Sequence, residues 1–332
     1  MAAPARVKPP VDDDDPAMAA FLEDVLAGLT EDPKRIPPKY FYDQRGSELF
    51  EDITRTPEYY PTRTELAILT DNAAAIAEHI PDGAAMIEFG SGASTKARIL
   101  LEAAEVAAYV PVDISEAFVA REIERLKADA PNVKVCPVIA DFTQPFELPP
   151  EVADMPRVGF FPGSTFGNFE AHEATAFLRR TAELLGPDAR LIIGIDLLKD
   201  PEVLHHAYND ASGMTAAFNI NLLHRINREL DGNFDPGNFC HYAFFNREHS
   251  RVEMHLVSRG RQKVRLGGRP FEFRRGETIH TENSYKYTLD LFRAVAHGAG
   301  WRQAAVWHDP EHYFSVHVLI SERPERPEKP TE

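Results

Sequence analysis

The chain has 332 residues and a formal net charge of −16, enough for a large core in one big domain or two ordinary ones. So acidic a balance excludes the basic footprint of a nucleic-acid groove, and no nucleic-acid partner is expected. Two cysteines, Cys136 and Cys240, make no disulfide framework, no apolar run approaches the ~18 residues of a membrane span, and Met1–Ala17 lacks a signal-peptide core; the expectation is a cytoplasmic monomer with no membrane partner.

In chain order, residues 1–17 and Ser321–Glu332 are polar and proline-rich and read as disordered tails. Met18, Phe21, Leu22, Val25 and Leu29 recur at helical spacing. A loop over Ile36–Gly46 precedes a short amphipathic helix over Ser47–Thr54, which Pro57–Arg63 breaks; Thr64–Ile80 then carries a long helical pattern. Met86-Ile-Glu-Phe-Gly-Ser-Gly-Ala-Ser-Thr-Lys-Ala-Arg-Ile-Leu-Leu101 reads as strand, glycine corner and helix, the opening unit of a nucleotide-binding α/β sheet. A dinucleotide fingerprint would need glycine at position 95, where this chain has Thr95, so a nicotinamide oxidoreductase is disfavoured.

Further strands end on acids. Tyr109–Val112 runs into Asp113, placed for a ribose diol and equally able to cap a helix over Ile114–Lys127. Val135–Ala140 runs into Asp141 and Phe142, a carboxylate and an aromatic suited to adenine. Val158–Phe161 leads to Pro162-Gly-Ser-Thr-Phe-Gly-Asn168, a helix follows over Ala174–Leu185, and a fifth strand over Ala189–Asp196 finishes on an acid again. From about residue 197 the texture changes: Pro201–Tyr208 and Met214–Glu229 look helical, and Phe239–Phe245, Arg251–Ser258 and Gln262–Leu266 alternate like antiparallel strands. A helix over Leu289–Ala299 and a strand over Tyr313–Ile320 return to the first pattern.

Two motifs mislead. Gly163-Ser-Thr-Phe-Gly167 has Thr165 where a hydrolase nucleophile elbow needs serine. The histidines are dispersed, His205 and His206 lie on different helix faces, and no metal site is expected. Lys96, on the first turn after the glycine corner, can be a solvated lysine or reach a carboxylate. Asn168 sits at a strand exit with donors and an acceptor for an amino-acid head group.

Three acidic strand ends around a Gly-x-Gly corner resemble a class I S-adenosylmethionine-dependent methyltransferase, a Rossmann-like seven-stranded α/β sheet. The resemblance narrows with Lys39-Tyr-Phe-Tyr-Asp-Gln-Arg-Gly-Ser-Glu-Leu-Phe50, Thr56-Pro-Glu-Tyr-Tyr-Pro-Thr-Arg63, Glu88-Phe-Gly-Ser-Gly92, Pro162–Asn168 and Thr281-Glu-Asn-Ser-Tyr-Lys286. Over roughly residues 20–320 the chain is similar to the histidine Nα-methyltransferases of ergothioneine biosynthesis, which make hercynine, the trimethylated betaine of histidine.

The change of texture at about residue 197 and the return at the end predict a methyltransferase domain of residues 61–196 plus 287–320. A second α+β, substrate-binding domain would comprise residues 18–60 plus 197–286. The resemblance implies that Gly90, Lys96, Asp113, Asp141 and Phe142 hold S-adenosylmethionine, with Tyr42 closing over it. Asn168 and Tyr208 would grip the carboxylate and amine of histidine and of its mono- and dimethylated forms. Tyr59, Glu282 and Ser284 would read the imidazole, with Tyr59 hard to separate from Tyr60. Tyr42 and Asn168 would act at the reacting amine, and Tyr42 or water would take its proton. The rival readings are a sister enzyme methylating another amine, such as a tryptophan derivative or a sulfur-modified histidine, and a ligand-binding homologue without turnover.

Overall fold

The computed structural model describes residues 16–92, 95–115, 119–120, 123 and 132–322. In chain order the strands are β1 (Lys34–Arg35), β2 (Ala84–Phe89), β3 (Val106–Asp113), β4 (Lys134–Val135), β5 (Val138–Ile139), β6 (Arg157–Phe161) and β7 (Arg190–Asp196), followed by β8 (Phe239–Asn246), β9 (Arg251–Ser258), β10 (Gln262–Leu266), β11 (Arg269–Phe273), β12 (Thr278–Tyr285), β13 (Trp301–His308) and β14 (Phe314–Ser321).

The large sheet is built outward from β2, an apolar strand buried along its whole length, as a strand covered on both faces must be. β3 pairs with it in parallel on one side and β6 on the other, so the strand order turns back between β2 and β6. The full order is β13-β14-β7-β6-β2-β3-β4, with β5 also on β3. β14 runs antiparallel to β7, and β13 antiparallel to β14. With β4 and β5 sharing one position beside β3, this is the seven-position class I methyltransferase sheet. Ligands of such sheets bind outside the carboxyl ends of the strands at the reversal, here the turns after Phe89 and Phe161.

The remaining strands form a separate sheet, β1-β12-β9-β8, and a β10-β11 ribbon. The hydrophobic cores divide in the same way. One draws on residues 21–60 and 204–279, including Phe41, Phe218, Phe239 and Phe273. Two others flank the large sheet and draw on residues 68–319 without entering the 204–279 stretch. The chain crosses between these regions three times, between residues 60 and 68, 197 and 204, and 279 and 287, and the last two crossings run side by side where Leu197 bridges Tyr287 in parallel.

Several elements differ from the sequence reading. The first helix begins at Pro16, inside the stretch read as tail; residues 1–15 and 323–332 lie outside the described residues, as does most of the Ile114–Lys127 helix. Tyr60–Asp71 is helical despite Pro61, because a first-turn proline lacks only an N–H that would have no partner there. The long Thr64–Ile80 pattern is interrupted at Asn72, whose side chain donates to the Ile68 carbonyl at 2.8 Å. Val135–Ala140 is two short strands around Pro137, which offers no N–H to the ladder. β11 and β13 escaped notice: Pro270 sits inside β11, and β13 is an edge strand with mixed exposure and no clean alternation.

Candidate active site

The glycine corner follows directly from β2. Gly90 has φ +70°, a left-handed conformation that favours glycine, and its N–H donates to the Val112 carbonyl at 2.8 Å. A Cβ built on Gly90 would lie 3.4 Å from the Phe142 ring, so a side chain there would fill the space beside that ring. Phe142 stands edge-on to Phe161, with ring centroids 5.5 Å apart. Asp113 ends β3 and accepts from the Ser115 N–H at 3.0 Å; burial pushes its carboxyl up, and the backbone amides of Ser115, Gly92 and Ile114 pull against that. Asp141 accepts from the Thr143 N–H at 2.9 Å and faces Lys39 Nζ at 3.7 Å. An apolar wall, a glycine that leaves room beside it and carboxylates at neighbouring strand ends fit an adenosyl group and its ribose diol.

Lys96 does not stand free. Its ammonium is paired with Glu65 at 2.5 Å, and both oxygens of Glu65 also accept the Gly163 N–H, at 3.0 and 2.9 Å. Glu65 was not singled out in the sequence, where it is one acid in a helical pattern. Glu88 is also buried, bonded to the Tyr109 hydroxyl, and burial lifts its carboxyl to about 8.

Next to this cleft lies a cavity lined by Tyr42, Tyr59, Asn168, Tyr208, Glu282 and Ser284. These six come from four separate parts of the chain between Tyr42 and Ser284. Of the tyrosine pair, Tyr59 faces the cavity, its ring 6.5 Å from that of Tyr208. Tyr60 turns inward, and its hydroxyl donates to Asp196 at 2.7 Å. Asn168 closes a short turn, Thr165–Asn168, entered through Ser164 at φ +60°. Gly167 lets this turn lie against β12, since a Cβ there would come within 2.8 Å of the Tyr285 carbonyl oxygen. Asn168 makes no side-chain hydrogen bond to another described residue, which leaves its amide for a ligand.

β12 has an irregular register between His280 and Glu282. Beyond it Glu282 and Ser284 share the cavity face, as period two requires. The Glu282 carboxylate has no hydrogen-bond partner among the described residues; burial lifts it to about 7, against the opposing pull of Lys286. Burial raises the Tyr42, Tyr59 and Tyr208 phenols well above the ordinary range. The negative charges of both Glu282 and Asp113 add to the effect at Tyr42, which places that ring between the two halves of the site. Burial so strong favours the neutral phenol.

Behind the cavity runs a buried ionic cluster that the sequence reading missed. Asp196 meets Lys199 at 2.5 Å and Lys286 at 2.6 Å. Burial pushes the Asp196 carboxyl up, but the two ammoniums outweigh it and hold it below the ordinary range. Burial likewise brings Lys199 down to about 8. The available signals were the acid ending the fifth strand and the phase of Lys286, in step with Glu282 and Ser284.

One further cluster has metal-ligand chemistry. Ligand atoms of Glu253, His255 and His280 lie within 4.8 Å of one another. The two imidazoles stack at 4.7 Å and 14°, so their in-plane lone pairs run nearly parallel, and Glu253 is already held by Arg251 at 2.8 Å and Asn246 at 2.9 Å.

Comparison with known proteins narrows the chemistry. Residues 21–321 match the family model described as histidine-specific methyltransferase, SAM-dependent. The chain is 40% identical to the histidine N-alpha-methyltransferase of Mycolicibacterium smegmatis, over 92% of this chain and 96% of that one. It is 30% identical to ergothioneine biosynthesis protein 1 of Neurospora crassa, over 88% of this chain and 34% of that one. It is 27% identical to the 4-dimethylallyltryptophan N-methyltransferase of Aspergillus fumigatus, over 88% and 91%.

Proposed function

The chain belongs to the histidine-specific, S-adenosylmethionine-dependent methyltransferase family, and we propose that it methylates the α-amino group of L-histidine three times to give hercynine, a step of ergothioneine biosynthesis. The observation that carries this reading is Glu282. A carboxylate turned into a cavity without a partner among the described residues calls for an N–H donor, and burying it unpaired is unfavourable. Imidazole supplies such a donor together with a second nitrogen for the Ser284 hydroxyl. An indole offers one N–H and no second nitrogen, so the pair suits histidine better.

In this reading the cofactor half consists of Gly90, Lys96, Asp113, Asp141 and Phe142. S-adenosylmethionine, once bound, supplies the sulfonium methyl carbon that a neutral amine attacks in line, leaving S-adenosylhomocysteine and a proton. The protein's own work is alignment and exclusion of water. Asn168 and Tyr208 hold the carboxylate and amine, Tyr59, Glu282 and Ser284 fix the ring, and Tyr42 stands between the two ligands. Its ring also suits the cationic products, the methylated amines. The domain division is part of the proposal: residues 61–196 plus 287–320 bind the cofactor, and residues 18–60 plus 197–286 supply most of the substrate wall. The separate hydrophobic cores support it.

Calorimetric titration of Glu282→Ala tests the reading. Histidine should lose about 1–3 kcal/mol, roughly five- to 150-fold in affinity, as its ring N–H loses its acceptor. Cofactor affinity should hardly move. Unchanged histidine affinity in a folded variant means that the imidazole is read elsewhere.

A further inference from the structure

Lys286 follows β12 directly and has no exposed side-chain surface. A lysine ammonium carries three N–H donors and no lone pair. Here all three are engaged, to Asp196 Oδ2 at 2.6 Å, Ser284 Oγ at 2.7 Å and Tyr208 Oη at 3.1 Å. Tyr208 Oη in turn donates to Ser284 Oγ at 2.7 Å. A serine hydroxyl has two lone pairs and one proton. At Ser284 both lone pairs are thus occupied from behind, by Lys286 and Tyr208, and only the O–H remains for the cavity that Ser284 lines.

We infer that Lys286 is a positioning residue for specificity: it makes Ser284 a donor only, so that the site accepts a ring with a bare nitrogen at that point and rejects a ring that presents an N–H there. This rests on the histidine reading and adds to it that the bound ring is neutral imidazole in a single tautomer. The other charged and titratable groups lining the cavity are Glu282, Asp196, Tyr42, Tyr59 and Tyr208. Glu282, when ionised, pulls the other way, because its negative charge favours imidazolium. Asp196 keeps the arrangement in place: it holds Lys286 while bonding also to Tyr60 and Lys199.

Two measurements test this. The first uses wild-type protein with S-adenosylhomocysteine and ring-15N histidine at pH about 6, where free imidazole, with a pKa of ~6.5, is mostly protonated. Nitrogen NMR should show one bare and one protonated ring nitrogen; two protonated nitrogens would overturn the inference. The second compares affinities for histidine and for thienylalanine, whose five-membered ring has no nitrogen, in wild type, Lys286→Met, Ser284→Ala and the double variant. The preference for histidine should fall roughly tenfold in each single variant and no further in the double one, as removal of one hydrogen-bonding partner implies. Equal weakening of both ligands in Lys286→Met would mean a purely structural lysine and would sink the inference. Should Lys286→Met not fold, the wild-type NMR result decides. If wild type binds no histidine at all, the histidine reading itself fails, an outcome distinct from the others.

Discussion

The carboxylate of Glu65 takes the backbone N–H of Gly163 on both oxygens, at 3.0 and 2.9 Å. One fully buried side chain thereby ties the helix that starts beside Tyr59 to the turn that presents Asn168, and it holds Lys96 of the glycine-corner helix as well. Gly194 gives it room, since a Cβ there would sit 2.1 Å from a Glu65 oxygen.

Glu65→Ala leaves the Lys96 ammonium and the Gly163 N–H without this partner. Breaking a buried pair from one side costs about 3–5 kcal/mol, so the melting temperature should fall sharply, and both ligands should bind more weakly. Glu65→Gln retains an acceptor for Gly163 and should lie between. A melt and a titration unchanged in Glu65→Ala would contradict this tie.

Asp113→Ala should spare the fold while removing charge-assisted hydrogen bonds to the ribose, each worth about 1.5–3 kcal/mol. Calorimetry should show cofactor affinity down by roughly one to two powers of ten, with histidine affinity in the absence of cofactor little changed. Wild-type cofactor affinity in a folded Asp113→Ala protein removes Asp113 from the site.

Glu282 links function to stability through pH. Burial lifts its carboxyl from the ordinary 4.5 to about 7, so between those values the folded protein holds a proton that the unfolded chain has lost. Stability from this group therefore falls as pH rises through that window, and the penalty is complete above about 7. Glu282→Gln cannot ionise and escapes it. The free variant should be more stable than wild type by on the order of 1–3 kcal/mol at pH 8, with little difference at pH 4. Melts that show no growing gap between pH 4 and 8 would contradict the burial of this carboxyl.

The sheet was legible because its strands are short apolar runs, those of β3 and β7 ending on an acid and that of β2 carrying Glu88 beside its end, and β2, β3, β6 and β7 fall where those runs stand. Period two likewise put Glu282 and Ser284 on one face before any coordinates. What stayed hidden depends on long-range partners. Nothing local distinguishes Tyr59 from Tyr60; Asp196, 136 positions further along from Tyr60, takes the latter inward. The sequence left Lys96 open between a solvated lysine and one that reaches a carboxylate, with nothing to mark Glu65 as its partner, and it assigned Lys286 no role. Such cations declare themselves only when the fold closes a carboxylate over them.

The central claim is that this chain trimethylates the α-amine of histidine. The most direct test incubates the purified protein with S-adenosylmethionine and a panel of free amino acids, including tryptophan derivatives, and follows products by mass spectrometry. The account predicts a gain of three methyl groups on histidine, through one- and two-methyl intermediates, and no gain on the others. Histidine left unmodified, or a tryptophan derivative methylated in preference to it, would contradict the account.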